Sequence, residues 1–142
     1  MKCYRDLNVR AVKRLGKREI GCLGELMNHM DMSTDTRQIF VFRDGRKVVG
    51  GMVVDFEVHK LIQGEIYLGV YIGKIEVARK YRGQGYGRAM VEWLMNRYNI
   101  FQIEISHIAK NIDGGAAYRF WRRMGFWKRD ASTTLMTRVL LK

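Results

Sequence analysis

Three glycines and four cations near the middle of the chain are the residues best placed to do chemistry. Over Ile75 to Arg88, an apolar strand ending at Val77 runs into the basic turn Arg79-Lys80, then Arg82-Gly83-Gln84-Gly85-Tyr86-Gly87-Arg88, then a helical pattern. Glycines at 83, 85 and 87 let the backbone turn tightly and leave its amides open to a ligand. A helix beginning near Gly85 presents unpaired N–H groups and a positive dipole end, which together bind anions. Arg79, Lys80, Arg82 and Arg88 add charge of the same sign. The chemistry this suits is the holding of phosphates.

Two common phosphate cradles do not fit. The dinucleotide fingerprint needs a glycine at the sixth position counted from Gly83, where Arg88 stands. The P-loop needs Gly-Lys-Ser/Thr, whereas Gly87 precedes Arg88-Ala89. The pattern Val-x-x-x-x-Arg-Gly-x-Gly-x-Gly, filled by Val77 and by Arg82 to Gly87, resembles the acetyl-coenzyme A loop of the GNAT N-acetyltransferases. That resemblance extends over residues 66 to 126 and implies acetyl-coenzyme A as donor, with no metal.

It also implies roles for particular residues. The pantetheine arm would pair with backbone at Ile75 and Val77, and the Val77 amide would face the thioester oxygen as a fixed dipole. The amides of Gln84, Gly85, Tyr86, Gly87 and Arg88 would hold the pyrophosphate, and Arg82 and Gly83 belong to the same cofactor-binding loop. An amine would attack the acetyl carbonyl directly, and Glu76 is the candidate for its base, the plain alternative being an ion pair with a neighbouring Lys or Arg. Glu65 and Glu104 are weaker candidates. Many relatives carry Ala-x-x-apolar-Tyr-x-x-x-Gly-Phe, with the tyrosine beside the leaving sulfur. Here Ala117 to Phe126 matches around it, but Trp121 takes the tyrosine position. An indole N–H donates a hydrogen bond and does not deliver a proton at neutral pH. Tyr118, three residues earlier on the same helical face, could substitute; otherwise water protonates the thiolate or it leaves unassisted. Asn111 stands six residues before Ala117, displaced from the usual contact with pantetheine.

The elements that must position these residues can be read from periodicity. Residues 7 to 12 alternate as a strand, and Ile20, Leu23, Met27 and Met30 recur at helical spacing, so one helix is expected from Lys17 to the Asp31–Thr36 loop. Ile39 to Phe42 and Val48 to Val58 form a hairpin about Asp44-Gly45, with Gly50-Gly51 marking a bulge or a close backbone approach. Glu65 to Val77 is a long strand whose alternation puts Tyr71, Gly73, Ile75 and Val77 on one face and Ile72, Lys74 and Glu76 on the other. After the cradle come a helix carrying Tyr86, Met90, Trp93 and Leu94, a strand over Phe101 to Ile105, a basic helix from Ala116 to Met124 stopped by Gly125, and a strand over Thr133 to Leu141. The expected fold is α/β (α+β) in the order β-α-β-β-β-α-β-α-β, a mixed, mostly antiparallel sheet flanked by helices.

At 142 residues the chain reads as one domain spanning 1–142, large enough to bury a core without disulfides or metal. No apolar run approaches a membrane span, so a soluble cytoplasmic protein, monomer or homodimer, is the default. Cys3 and Cys22 have no metal spacing and read as reduced thiols. The net charge of +12 exceeds what a coenzyme A site needs: Lys2, Arg5, Arg10, Lys13, Arg14, Lys17 and Arg18 crowd the start, and Arg119, Arg122, Arg123, Lys128 and Arg129 form a second cluster. The plain alternative is a solvated basic surface tuned for solubility; as a functional surface it repels polyamines and aminoglycosides and suits an acidic macromolecular acceptor, a protein or an RNA- or DNA-linked amine. The rival class is a catalytically degraded module of the same fold that binds nucleic acid or a protein partner.

Overall fold

Alternation along the chain does produce the expected strands, and tertiary pairing adds one more. In the computed structural model, which describes residues 2–24, 36–106, 117–128 and 135–140, β1 (Asn8–Val12) leads through α1 (Lys17–Cys22) to β2 (Arg37–Asp44), β3 (Lys47–Ile62) and β4 (Glu65–Val77). Helix α2 (Tyr86–Arg97), β5 (Ile100–Ser106), α3 (Ala117–Arg123), β6 (Trp127–Lys128) and β7 (Leu135–Val139) follow. They build a seven-stranded sheet in the order β1-β2-β3-β4-β5-β7-β6. The β4–β5 pair is parallel, with α2 as its crossover, and the other pairs are antiparallel. This is the mixed, mostly antiparallel sheet flanked by helices that the sequence implied. The short β6, two residues paired to β7, was not legible in it.

Two apolar layers hold the sheet. On one face α2 lays Met90, Val91 and Leu94 over Phe40, Phe42, Met52, Ile75 and Val77, all buried, with Phe120, Trp121 and Phe126 extending the same cluster. Trp93 meets Phe40 and Phe42 edge-on at 5.0 and 5.3 Å, the arrangement that aromatic quadrupoles favour. On the other face Leu15 and Leu23 cover Ile39, Val41, Val48 and Val53.

Three local readings are corrected or refined. Helix α1 stops at Cys22 instead of continuing through the methionine stripe: Gly21 and Gly24 flank the stop, and glycine is the weakest helix former after proline. Met27, Met30 and the Asp31–Asp35 stretch lie outside the described residues. The Gly50-Gly51 irregularity is a bulge, since Phe42 pairs with Gly50 but Arg43 with Val48. The strict alternation read along β4 fails at Gly73. Val53 pairs with Lys74 and Val54 with Ile72, leaving Gly73 as the extra residue. Tyr71 therefore shares a face with Lys74 and Glu76, while Ile72, Ile75 and Val77 share the α2 face.

Candidate functional site

The bulge at Gly73 sits where the sheet begins to open. Among the described residues β5 pairs with β4 from Leu68↔Ile100 to Ile72↔Ile105, and β4 continues past that point to Val77. On its other side this last stretch stays fixed to β3, with Ile75 opposite Met52 and Val77 opposite Gly50. The Ala78 N–H donates to the Val49 carbonyl of β3 at 2.8 Å. Backbone polar groups alternate sides along a strand, so the Val77 N–H and C=O face away from β3, into the opening beside β5. Ile75 and Val77 are buried at 1% and 0% exposure, their side chains in the core beneath α2.

From Val77 the chain turns into the cradle within a few residues. A 3-10 turn over Arg79–Tyr81 reverses its direction, Gly83 and Gly85 take φ of 76° and 90°, and Gly85 is the N-cap of α2. Those angles are left-handed, where residues with a Cβ are disfavoured, so glycine is required at both. No cap side chain bonds the first turn of α2, and no acid lies in it. Tyr86 anchors it from below, buried at 4%, donating its hydroxyl to Asp44 on the β2–β3 hairpin and packing edge-on with Tyr81. The Arg88 guanidinium bonds Glu92 one turn on, and the Gln84 amide donates to the Lys80 carbonyl. Lys2 lies against the cradle, its ammonium over the Tyr86 ring and 3.8 Å from Asp44.

Glu76 is 3% exposed, a buried carboxylate on the face opposite α2. The side chain of Arg82 turns back to it: Nε donates to the Val77 carbonyl at 2.8 Å, and Nη2 lies 3.7 Å from Glu76 Oε2. The first residue of the cradle thus reaches the strand end in place of pointing outward. Glu65 is exposed and accepts from Tyr67; Glu104 is half-buried and accepts from Gln102. Neither makes a contact with the cradle.

Sequence reading missed a second acidic group. Asp55 on β3 pairs with Tyr71 on β4, which pairs with Glu104 on β5, and Glu57 stands beside them. Partial burial pushes the Glu57 carboxyl up, and the charges of Glu104 and Asp55 push it further. Arg37 holds Asp55 with a two-pronged contact at 2.7 and 3.4 Å. A raised carboxyl favours the protonated form in the folded state, so ionising Glu57 destabilises the fold as pH rises through that pKa. Glu57→Gln is therefore expected to raise the melting temperature at pH 8 by about 1 °C, the small size reflecting solvent screening, with the gain gone below pH about 4. A thermal melt across that range checks it.

Helix α3 separates two residues that spacing placed together. Trp121 is fully buried at 0% exposure, between Phe120 and Phe126, whereas Tyr118 is 42% exposed with Lys128 over its ring. The Trp121 Nε1–H is buried and has no hydrogen-bond partner among the described residues. The helix ends as its glycine predicts: Gly125 has φ of 89°, its N–H bonds the Arg122 carbonyl, and Phe126 bonds Trp121. Asn111 lies outside the described residues. Among them no group of His, Cys, Asp and Glu could hold a metal, both cysteines are free, and no helix is long and apolar enough to cross a membrane.

The β4–β5 pair thus parts beside a glycine-rich turn that leads into the N-terminus of α2. Residues 35–128 match the family model of the acetyltransferase (GNAT) domain, and the chain belongs to that family. Solved structures show the same fold. A complex of KacTA with DNA superposes with a TM-score of 0.64 at 15% identity, over 94% of this chain and 92% of that one. AtaT complexed with acetyl-methionyl-tRNAfMet gives 0.63 at 14% identity, over 94% and 95%. AtaTR bound with acetyl-coenzyme A gives 0.64 at 15%, over 95% and 94%. No curated protein sequence matches the chain.

Proposed function

We propose that this chain is an acetyl-coenzyme A-dependent N-acetyltransferase whose acceptor is an amine on a macromolecule. The observation that carries the reading is the junction at Val77, where an amide facing the opening beside β5 is joined by one short turn to the N-terminus of α2, whose N-cap is a glycine. The residues fit coenzyme A. Gly83 and Gly85 keep side chains off the cradle, the loop and first-turn amides from Gln84 to Arg88 would hold the pyrophosphate, and Ile75 and Val77 would flank the pantetheine. The buried orphan N–H of Trp121 fits a cofactor acceptor, because a buried donor without a partner is costly unless a ligand satisfies it. When bound, the cofactor supplies an acetyl group activated as a thioester. The Val77 N–H supplies a fixed dipole for the oxyanion, and buried Glu76 is the group nearest the strand end that can take a proton from the amine.

Trp121 and Tyr118 then differ in role. Tyr118 stands exposed on α3, and the fully buried Trp121 can donate but not protonate. Trp121 would offer the departing sulfur a hydrogen bond and no proton, which water would supply. Trp121→Phe is expected to weaken coenzyme A binding about tenfold while costing the free protein less than about 1 kcal/mol, because deleting an unsatisfied donor offsets the lost packing. Calorimetry with coenzyme A and a denaturant titration of the free protein measure the two effects separately.

For the acceptor, a nucleic-acid-linked amine is the better supported of the two macromolecular classes. The segment from Ala117 to Lys128 contains no acid, and its cations Arg119, Arg122 and Arg123 are exposed beside Tyr118 and the 45%-exposed Trp127. Cations interleaved with exposed aromatic rings suit phosphates and unstacked bases. The complex of AtaT with acetyl-methionyl-tRNAfMet supports the same reading. Labelled acetyl-coenzyme A, incubated with the protein and cell extract, tests it: label released by nuclease is the expected result, and label released by protease makes the acceptor a protein amine. Coenzyme A binding with no macromolecular label would favour the degraded binding module.

A further inference from the structure

The direction of the Arg82 side chain has a consequence for how the cradle and the strand end work together. A cation opening a phosphate loop is expected to face the phosphates, yet this guanidinium is 20% exposed and turned inward. Its Nε bond to the Val77 carbonyl and the Ala78 N–H bond to Val49 hold the same peptide unit from opposite sides, at 2.8 Å each. The Ala78 carbonyl accepts from Tyr81, and the Arg79 carbonyl from the backbone N–H of Arg82, which fixes the turn from which the side chain springs. Every polar atom of the 77–78 peptide is thereby committed. The other prong, Nη2, stands 3.7 Å from the buried carboxylate of Glu76. Burying a carboxylate is tolerable where a cation lies close, so the same side chain that fixes Val77 also stabilises the charge of its neighbour.

We propose that Arg82 is a positioning residue for Val77 and Glu76, clasping the cradle to the end of β4, and not a ligand of the cofactor's phosphates. The inference rests on the acetyltransferase reading above. A clasp of this kind makes a prediction opposite to that of a phosphate ligand. Losing a phosphate ligand weakens cofactor binding and leaves the rate at saturating cofactor unchanged. Losing a clasp leaves binding nearly intact and lowers the saturated rate, because groups misplaced by a fraction of an ångström lose effectiveness in the transition state.

The test compares Arg82→Met and Arg82→Lys with the wild type in three measurements: coenzyme A affinity by calorimetry, acetyl transfer into cell-extract macromolecules at saturating acetyl-coenzyme A, and hydrogen exchange at the Ala78 amide. For Arg82→Met the expected results are a dissociation constant within about threefold of wild type, transfer slowed at least about thirtyfold, and exchange at Ala78 at least about tenfold faster. Arg82→Lys, which keeps the charge and one donor, is expected to recover transfer to within about fivefold of wild type, and it carries the comparison should the methionine variant fail to fold. A dissociation constant raised tenfold or more with the saturated rate unchanged would overturn the inference and make Arg82 a phosphate ligand. Unchanged exchange at Ala78 would overturn it as well. Wild-type protein that binds coenzyme A but transfers no acetyl group would sink the acetyltransferase reading instead, and exchange at Ala78 would still decide whether the clasp exists.

Discussion

Replacing Gly85 by glutamate is expected to weaken coenzyme A binding by at least about a hundredfold while leaving the protein folded. Gly85 is the N-cap of α2 at φ of 90°. An L residue held there pays roughly 1–2 kcal/mol of backbone strain. The space itself is adequate, because a Cβ at this position meets nothing closer than the Lys2 backbone nitrogen at 3.5 Å, an ordinary contact. A carboxylate at a helix N-terminus also recovers part of the strain through the dipole. The folded state is therefore only modestly destabilised. The bound state suffers more, since the new carboxylate occupies the anion position and repels any phosphate brought to it. Gly85→Ala separates the contributions: it carries the strain without the charge and is expected to lose only about tenfold in affinity. Calorimetry gives both values. The same variants divide the two function classes, because a module that only binds nucleic acid would keep its salt-dependent affinity in Gly85→Glu, whereas an enzyme would lose acetyl transfer. Equal coenzyme A affinity in wild type and Gly85→Glu would show that the uncapped end of α2 is not the phosphate site.

What could be read from the sequence was what is local. The turn into α2 is one contiguous run in which Gly83 and Gly85 answer a backbone demand, so its place in the fold was legible, as were the hairpin at Asp44-Gly45 and the stop at Gly125. The seams between strands were less legible. Nothing in Tyr71-Ile72-Gly73-Lys74 marks which residue will be extra, because the bulge is defined by the partner residues Val53 and Val54 on β3. A one-residue slip then exchanges faces, which is why Tyr71 ends beside Lys74 and Glu76. The same holds for the acidic group around Tyr71, whose members come from three strands and meet only in the sheet. Side-chain direction is a further thing that spacing does not supply. Tyr118 and Trp121 are three residues apart and fit one helical face on paper, yet the sheet covers one and leaves the other in water. Arg82 belongs to a phosphate-loop pattern, and its guanidinium bonds the strand behind it.

The largest effect on folding is expected at Gly50, and it comes from proximity alone. Gly50 lies in the part of β3 that faces Val77 across the sheet and Met90 above it, and its φ is not in the left-handed region, so alanine meets no backbone strain there. A Cβ on Gly50 would stand 2.4 Å from Met90 Sδ and 2.8 Å from the carbonyl oxygen of Glu76. The first obstacle is the end of a flexible thioether that can swing aside at moderate cost. The second is backbone of β4, held in register on both sides of the contact by Gly51↔Glu76 and Gly50↔Val77, and it can retreat only if the strand end moves. Gly50→Ala is therefore expected to destabilise the protein by about 3 kcal/mol, at the upper end of overpacking costs, and to lower the melting temperature by about 10 °C. Truncating the thioether in Gly50→Ala/Met90→Ala removes the first obstacle and leaves the second, so the double variant is expected to show favourable coupling of about 1 kcal/mol without full rescue. Full rescue by Met90→Ala would mean that helix α2, and not the β4 backbone, sets the limit at this position. Incomplete rescue has a functional corollary, since the atom that must move is the carbonyl of Glu76, which shares its peptide unit with the Val77 N–H. Gly50→Ala is then expected to slow acetyl transfer at saturating acetyl-coenzyme A about tenfold even at temperatures where the variant is fully folded, because the same displacement that costs stability shifts the amide that faces the opening beside β5.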